Sequence, residues 1–245
     1  MLVVGFHAVG ARLKQNPDSV LEIYVEGSRN DARMRELVAL AKERNKPVRT
    51  VSSQRIDAMC PNGKHQGVVA QATAQVVKAD LDTLLDSLQV PPFLLLLDGV
   101  TDPRNLGACL RVADGAGVHA VIAPKDKSCL LTEVAIQTAS GAAESVPYIL
   151  VTNLAQTIDK LQEERGIWVV GAADETEDKL YEQSLPEAVA WVLGAEGTGL
   201  RRLTKERCDQ LVKIPMLGQV SSLNVSVAAG VVLFETVRQR QANLG

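Results

Sequence analysis

Paired cysteines, aromatic residues and long apolar runs are all scarce in this 245-residue chain, and each scarcity excludes a class of protein. Cys60, Cys109, Cys129 and Cys208 stand far apart, with no CxxC pair and no histidine at zinc-ligand spacing, so they read as free thiols. His7, His65 and His119 are equally scattered, and no metal is expected. His119, inside the apolar run 118–122, reads as a core or strand-edge residue rather than a catalyst. Aromatics make up only 3% of the chain, so any nucleic-acid binding cannot rest mainly on stacking platforms. Apolar runs such as 93–97 are far too short to span a membrane. The opening Met-Leu-Val-Val-Gly-Phe-His lacks the charged start and cleavage site of a signal peptide. A cytoplasmic protein with no membrane partner is expected.

Positive charge is also short overall, at a net −3, but it is unevenly placed. Residues 1–78 hold 12 Lys and Arg against 7 Asp and Glu, a net of +5; residues 79–245 hold 14 against 22, a net of −8. Phosphate contacts need local rather than total positive charge, so the first third is the candidate RNA-holding part. A solvated helix face would look the same by charge alone.

What is present is an ordinary globular composition, 46% hydrophobic and 22% charged, with ample core. Residues 1–77 read as a small α/β domain. A helix is expected at 7–14, strands at 20–25, 48–51 and 67–77, and a helix capped by Asp31 with Met34, Leu37, Val38 and Ala41 on one face. The polar loop 61–67 carries Lys64 and His65, both able to meet phosphate; a simple turn is the alternative. Residues 78–91 are acidic, have room for a short helix and end in Pro91-Pro92, and are read as a linker. From 92 to 245 strands are expected at 93–98, 120–123, 148–152, 167–171, 189–193 and 211–214, with helices at 106–116, 132–140, 154–165, 199–207 and 223–239. Continuous apolar strands alternating with amphipathic helices imply a mostly parallel sheet covered on both faces.

Three segments of this second part carry the chemistry: Asn105-Leu-Gly-Ala-Cys-Leu-Arg111, Leu193-Gly-Ala-Glu-Gly-Thr-Gly-Leu200 and Ser221-Ser-Leu-Asn-Val-Ser-Val-Ala-Ala-Gly230. Each is a loop-to-helix passage where small residues let a ligand approach the backbone. Each also bears polar groups able to act: Asn105, Arg111, Glu196, Ser222 and Asn224. Gly194, Gly197 and Gly199 suit a loop wrapped round a nucleoside-like ligand, or a plain strand-to-helix turn. Glu196 between them is harder to explain structurally, and is a candidate general base or a group that orients Arg111. Ser222 and Asn224 suit either a helix cap or a polar contact near a reacting group.

Taken together and in this order, these segments resemble the motif set of the SpoU-type RNA 2′-O-methyltransferases of the SPOUT superfamily. Asp98-Gly-Val-Thr-Asp-Pro-Arg-Asn-Leu-Gly, Gly141-Ala-Ala-Glu-Ser-Val-Pro147, Ile214-Pro-Met and His65-Gln-Gly67 extend the resemblance over the whole chain, toward the branch acting on 23S ribosomal RNA. The resemblance implies S-adenosylmethionine as methyl donor and no metal. The substrate it implies is a guanosine 2′-hydroxyl in the peptidyl-tRNA loop of 23S rRNA. It implies a parallel sheet with a C-terminal trefoil knot, preceded by a small L30e-like RNA-binding domain, and a homodimer joined through knot helices. The last helix offers Val225, Ala228, Ala229, Val232 and Phe234 as an apolar face, part of it core and part of it for that dimer.

Methyl transfer to a ribose hydroxyl then gives each residue a task. Arg111 stays protonated, so it is a poor base; it is expected to position the 2′-hydroxyl and neighbouring phosphate and to stabilise the developing alkoxide. Asn105, Glu196, Ser222 and Asn224 complete the catalytic set. Gly194 and Gly199, with backbone groups of Ile214 and Leu223, are expected to bind the donor, and Met216 to Ser222 to wall its pocket. Lys64, His65 and Arg104 are expected on RNA, Arg104 standing where relatives often have histidine.

Three other functions compete. A SpoU enzyme acting on tRNA shares the motifs, but such relatives usually lack the L30e-like domain. A dinucleotide oxidoreductase would fit strand-then-glycine, but the glycine order is wrong and the acidic residue about 20 positions on is absent. A non-catalytic RNA chaperone would have no use for the five polar groups.

Overall fold

The structure is a computed structural model that describes residues 2–61, 65–73, 77 and 79–242. It divides into two compact units, residues 1–75 and 76–245.

In the first unit β1 (Leu2–Val4), β2 (Val20–Glu26), β3 (Val48–Val51) and β4 (Val68–Ala72) form a sheet in the order β1-β4-β2-β3. β4 runs antiparallel to both neighbours, and β2 and β3 are parallel. Helices α1 (Phe6–Gln15) and α2 (Ala32–Glu43) supply Val9, Leu13, Met34, Leu37 and Ala41 to a core shared with Ile23, Val25 and Val68. Asp31 caps α2 as its type predicts, accepting from the Met34 N–H at 3.0 Å. A third helix, α3 (Ser53–Met59), was not expected; Ser52 caps it.

The second unit begins earlier than composition suggests. Residues 78–91, expected as a linker, hold helix α4 (Leu81–Ser87), capped by Asp80. Leu85 is buried, and Leu81, Leu84 and Leu88 pack beside it against the unit's core. Lys160 reaches Asp82 at 2.6 Å, and Arg165 pairs with both Asp82 and Asp86. Those cations hold the Asp82 carboxyl below the usual range, Lys160 contributing most. The acidic run is thus one face of a docked helix and not a tether.

Six parallel strands follow: β5 (Phe93–Asp98), β6 (Ala120–Pro124), β7 (Tyr148–Val151), β8 (Trp168–Ala172), β9 (Val189–Gly194) and β10 (Gln210–Val212). Their order is β10-β8-β9-β5-β6-β7. β5 shows why both faces are apolar: Phe93, Leu95 and Leu97 enter one core, Leu94 and Leu96 the other. Helices α5 (Pro103–Ala116), α6 (Glu133–Thr138) and α9 (Val225–Ala242) cover the first face. Leu154, Ile158 and Leu161 of α7 (Leu154–Glu163) cover the second, with α8 (Arg202–Arg207) against α7. Gly107 is where α5 meets α6: a Cβ there would lie 2.4 Å from the Ala135 carbonyl oxygen.

Two expectations are corrected by these elements, and a third is divided into core and surface. α5 is opened by Asp102, which accepts from the N–H groups of Arg104 and Asn105, so Asn105 lies inside the first turn. α8 starts at Arg202 and not at 199, because 195–199 fold back on themselves first. Of the apolar face expected on the last helix, Val225, Ala229 and Val232 are buried in the chain's own core, and Phe234 is exposed with Val227 instead. No helix among the described residues is long and apolar enough to cross a membrane.

Candidate active site

The carboxyl ends of parallel strands are where open α/β sheets bind ligands, because chain reversals leave crevices and unpaired backbone groups there. At that end β9 runs into the glycine loop. Gly199 N–H bonds back to the Ala195 carbonyl at 2.9 Å, and Ala195 N–H bonds to the Asp98 carbonyl at 3.1 Å. Gly194 has no room for a side chain: a Cβ would lie 2.1 Å from the carbonyl carbon of Gly199. Gly197 (φ 77°) and Gly199 (φ 62°) take left-handed backbone and face open space. Gly194 thus closes the loop, and the other two turn it.

The loop ends on a buried carboxylate. Asp98 accepts from the Arg201 N–H at 2.8 Å and pairs with Arg201 Nε at 3.4 Å. With the β5–β9 register, which sets Asp98 opposite Gly194, this pins both ends of the loop to one strand end.

A cavity of about 320 Å³ lies against it, lined by Gly194–Leu200, Ile214, Met216, Ser221, Ser222, Leu223 and Val225, and by the 172–175 turn after β8. That volume falls at the lower end of the range for small-molecule sites, roughly 300–1,000 Å³. Gly194, Gly199, Ile214 and Leu223, the four residues expected at the donor, all line it, and so do Glu196 and Ser222. Asp174 and Glu175 line it too and were not singled out in the sequence. The available signal was their place just past a buried parallel strand. Lys205 holds Glu175 at 2.6 Å and keeps its carboxyl below the ordinary range.

Beside this cavity three expected polar residues meet. Asn224 Nδ2 donates to Asn105 Oδ1 at 3.0 Å and also to Glu196 Oε1, which accepts from Asn105 Nδ2 at 3.5 Å. Asn224 Oδ1 in turn accepts from the Ser226 N–H at 2.9 Å, so it is Asn224 that caps α9. Ser222 is exposed two residues before and does not serve as the cap. Arg111 is not brought into this cluster. It is exposed on α5 and makes no hydrogen bond or ion pair among the described residues, and the Arg104 side chain is equally open.

In the first unit, Lys64 lies outside the described residues. His65 is half-buried: its Nδ1 accepts from the Gly67 N–H at 3.0 Å, and its Nε2 faces Asp57 at 2.8 Å. That geometry makes Nε2 the protonated nitrogen and gives His65 a loop-shaping task. Burial pushes the Cys109 and Cys208 thiols up to about 12, so neither is a nucleophile at neutral pH. No three metal-ligating side chains converge among the described residues.

Known proteins bear on this geometry. Residues 92–234 match the SpoU rRNA methylase family, and residues 2–76 match the RNA 2′-O ribose methyltransferase substrate-binding family. A 23S rRNA (guanosine-2′-O-)-methyltransferase, RlmB, from Ralstonia nicotianae is 55% identical over 239 residues, covering 98% of this chain and 96% of that protein. The protein of the same name from Neisseria meningitidis is 53% identical, covering 97% and 95%. Among solved structures, the SpoU methyltransferase AviRb from Streptomyces viridochromogenes in complex with AdoMet shares the fold. Its TM-score is 0.71 at 24% identity, over 99% of this chain and 91% of that one. With a family match over most of its length and relatives similar from end to end, the chain belongs to the SpoU rRNA methylase family.

Proposed function

We propose that the chain methylates the ribose 2′-hydroxyl of a guanosine in 23S ribosomal RNA, with S-adenosylmethionine as donor. The observation that carries this reading is the Asn105–Glu196–Asn224 cluster, drawn from three distant segments to the lip of the glycine-walled cavity. Relatives matched along their whole length, which are named for that reaction, support the substrate.

The cavity suits the donor. Turned glycines 197 and 199 leave open backbone for a nucleoside, while Leu193, Ile214, Leu223 and Val225 give it apolar walls. Backbone groups at Ile214 and Leu223 would hold the base edge, and the loop 194–199 the remainder. When bound, the donor supplies an electrophilic methyl group. The chain's own work is alignment and proton handling. Orientation alone contributes a large part of such rate enhancements. The Asn105 and Asn224 amides fix Glu196 Oε1, leaving the other carboxylate oxygen to take up or orient the hydroxyl proton. Arg111 and Ser222 meet the ribose and its phosphate, and the guanidinium offsets the charge that develops on oxygen.

RNA is held by the basic first unit through Lys64 and its neighbours, with His65 shaping the turn at 65–67, and by Arg104 on the second. The knot is read where the chain, having reached the sheet edge at β10, returns through 213–224 to pack α9 over β9 and α5. The protein is a homodimer, joined through the exposed Val227 and Phe234 of α9, and it acts in the cytoplasm. Incubation with labelled donor and protein-free 23S RNA, followed by mapping of 2′-O-methyl stops, should give one guanosine. Label entering tRNA and not 23S RNA would overturn the reading.

A further inference from the structure

Arg201 is anchored far more firmly than closing a loop requires. The Asp98 side chain is 0% exposed; one oxygen accepts the Arg201 backbone N–H, and the other makes no hydrogen bond and faces Arg201 Nε at 3.4 Å. A buried carboxylate needs a charge partner, so it draws the guanidinium to one position. Gly99 lies against it: its φ of 83° is left-handed backbone, and a Cβ there would be in ordinary contact, 3.4 Å from Arg201 Nη2 and 3.8 Å from the Ala195 Cβ. The guanidinium therefore lies across Gly99 beside Ala195, the residue before Glu196. Its side chain is nonetheless 43% exposed, and its Nη groups have no acceptor among the described residues. The cations that follow it are occupied: Arg202 pairs with Glu206, Lys205 with Glu175, and Arg207 with Asp159. A guanidinium drawn to Asp98 by charge on its Nε side, with its Nη groups open, is suited to a phosphate, which it grips with two parallel donors.

We propose that Arg201 is an RNA-phosphate-binding residue, holding a phosphodiester of the strand whose ribose is presented to the Asn105–Glu196–Asn224 cluster. This rests on the RNA methyltransferase reading above. Because Asp98 also closes the donor loop by accepting the residue-201 backbone N–H, it is left in place: the test uses Arg201→Gln, with Arg201→Lys beside it to keep a cation against the buried carboxylate, and melting recorded for both. Donor affinity is measured by calorimetry, and affinity for protein-free 23S RNA by filter retention across a salt series. Arg201→Gln should bind donor within about threefold of wild type and bind RNA about 10- to 100-fold more weakly, as loss of one charge-assisted contact requires. The slope of log affinity against log salt should shrink by about 0.7 to 0.9. RNA affinity and slope at wild-type values would overturn the proposal. So would a loss of donor affinity equal to the loss of RNA affinity, since the pair would then be a strut of the donor loop. If Arg201→Gln does not fold, Arg201→Lys is read instead: it keeps the cation but loses the paired donors, so RNA affinity should fall about 3- to 10-fold, and wild-type RNA affinity would overturn the proposal. Failure of the wild-type protein to methylate 23S RNA counts against the reaction, whereas the salt slope decides Arg201 whether or not methyl transfer is seen.

Discussion

Arg111 makes no side-chain hydrogen bond or ion pair among the described residues, and that makes its role testable. It lines no wall of the cavity and hydrogen-bonds to neither Asn105 nor Glu196. Arg111→Ala should therefore leave donor affinity within about tenfold, or 1.4 kcal/mol, while methyl transfer falls at least about 100-fold, the size of a lost charge-stabilising donor. Calorimetry showing donor binding lost in step with rate would remove Arg111 from catalysis. The glycines divide in another way. At Gly194 a methyl group would meet Gly199 backbone at 2.1 Å, so Gly194→Ala must open the loop. It should destabilise the fold by about 1–3 kcal/mol, as overpacking does, and abolish donor binding. Gly197 faces open space, so Gly197→Ala carries only the strain of a left-handed residue, about 1–2 kcal/mol, and should keep measurable donor affinity. Equal donor loss in both variants would mean that the loop's conformation, and not its closure at Gly194, controls binding.

Elements were legible in proportion to how much of their signal is local. β5 could be read whole, since Phe-Leu-Leu-Leu-Leu-Asp is apolar on both faces, and α2 announces itself through Asp31 and one apolar stripe. The three-residue β1 is defined by its pairing with β4, some 65 positions away, and no periodicity reveals that. For α4 the sequence shows room for a short helix but not its docking: its carboxylates look like solvated linker until Lys160 and Arg165 of the α7 region are seen against them. The site follows the same rule. Asn105, Glu196 and Asn224 were singled out by type and by family resemblance, but their meeting across separations of 91, 119 and 28 positions is set by strand order. At the junction of α5 and β6, His119 Nδ1 accepts from the Phe93 N–H at 3.0 Å, the strand-edge position expected of it. Burial, with the Arg240 guanidinium nearby, holds its imidazole below the usual range. The unfolded imidazole titrates near about 6.5. Stability from keeping it neutral is present above that value and is lost as pH falls through the lower folded value. Melting temperature should therefore fall more steeply from about pH 6.5 downward in wild type than in His119→Gln. Parallel curves would assign the acid sensitivity to carboxylates such as Asp82.

At the scale of the whole molecule the two units answer different physical demands. The first carries an excess of positive charge, and the second, at −8 over residues 79–245, would repel RNA except at cations such as Arg104, Arg111, Lys125 and Lys127, which have no ion pair among the described residues, and at Arg201, whose Nη groups stay open beside its pairing with Asp98. The proposed dimer has a narrower basis than the sequence suggested. Val225, Ala229 and Val232 belong to the core, leaving Val227 and Phe234, each about half exposed, with the α5 surface beside them: a Cβ at Gly115 would lie 3.7 Å from Phe234 Cζ. Val227→Glu/Phe234→Glu should convert a dimer into a 26.3 kDa monomer in sedimentation. A wild-type protein that already sediments as that monomer at micromolar concentration removes the dimer. The division of labour is tested by separating the units, and α4 decides where to cut. A fragment starting at Pro91 would lack the helix whose Leu85 is buried and whose Asp82 and Asp86 neutralise Arg165, exposing an apolar strip on that face of the sheet. A fragment starting at Val76 keeps it. The longer fragment should melt as one cooperative transition and bind S-adenosylmethionine as the full chain does. The shorter should melt lower or aggregate. RNA affinity of the longer fragment should fall by orders of magnitude at moderate salt, and its salt slope should flatten, because the phosphate contacts of the first unit are gone. If the fragment from Val76 methylates 23S RNA at the same nucleotide and with the same efficiency as the intact chain, residues 1–75 do not hold the substrate.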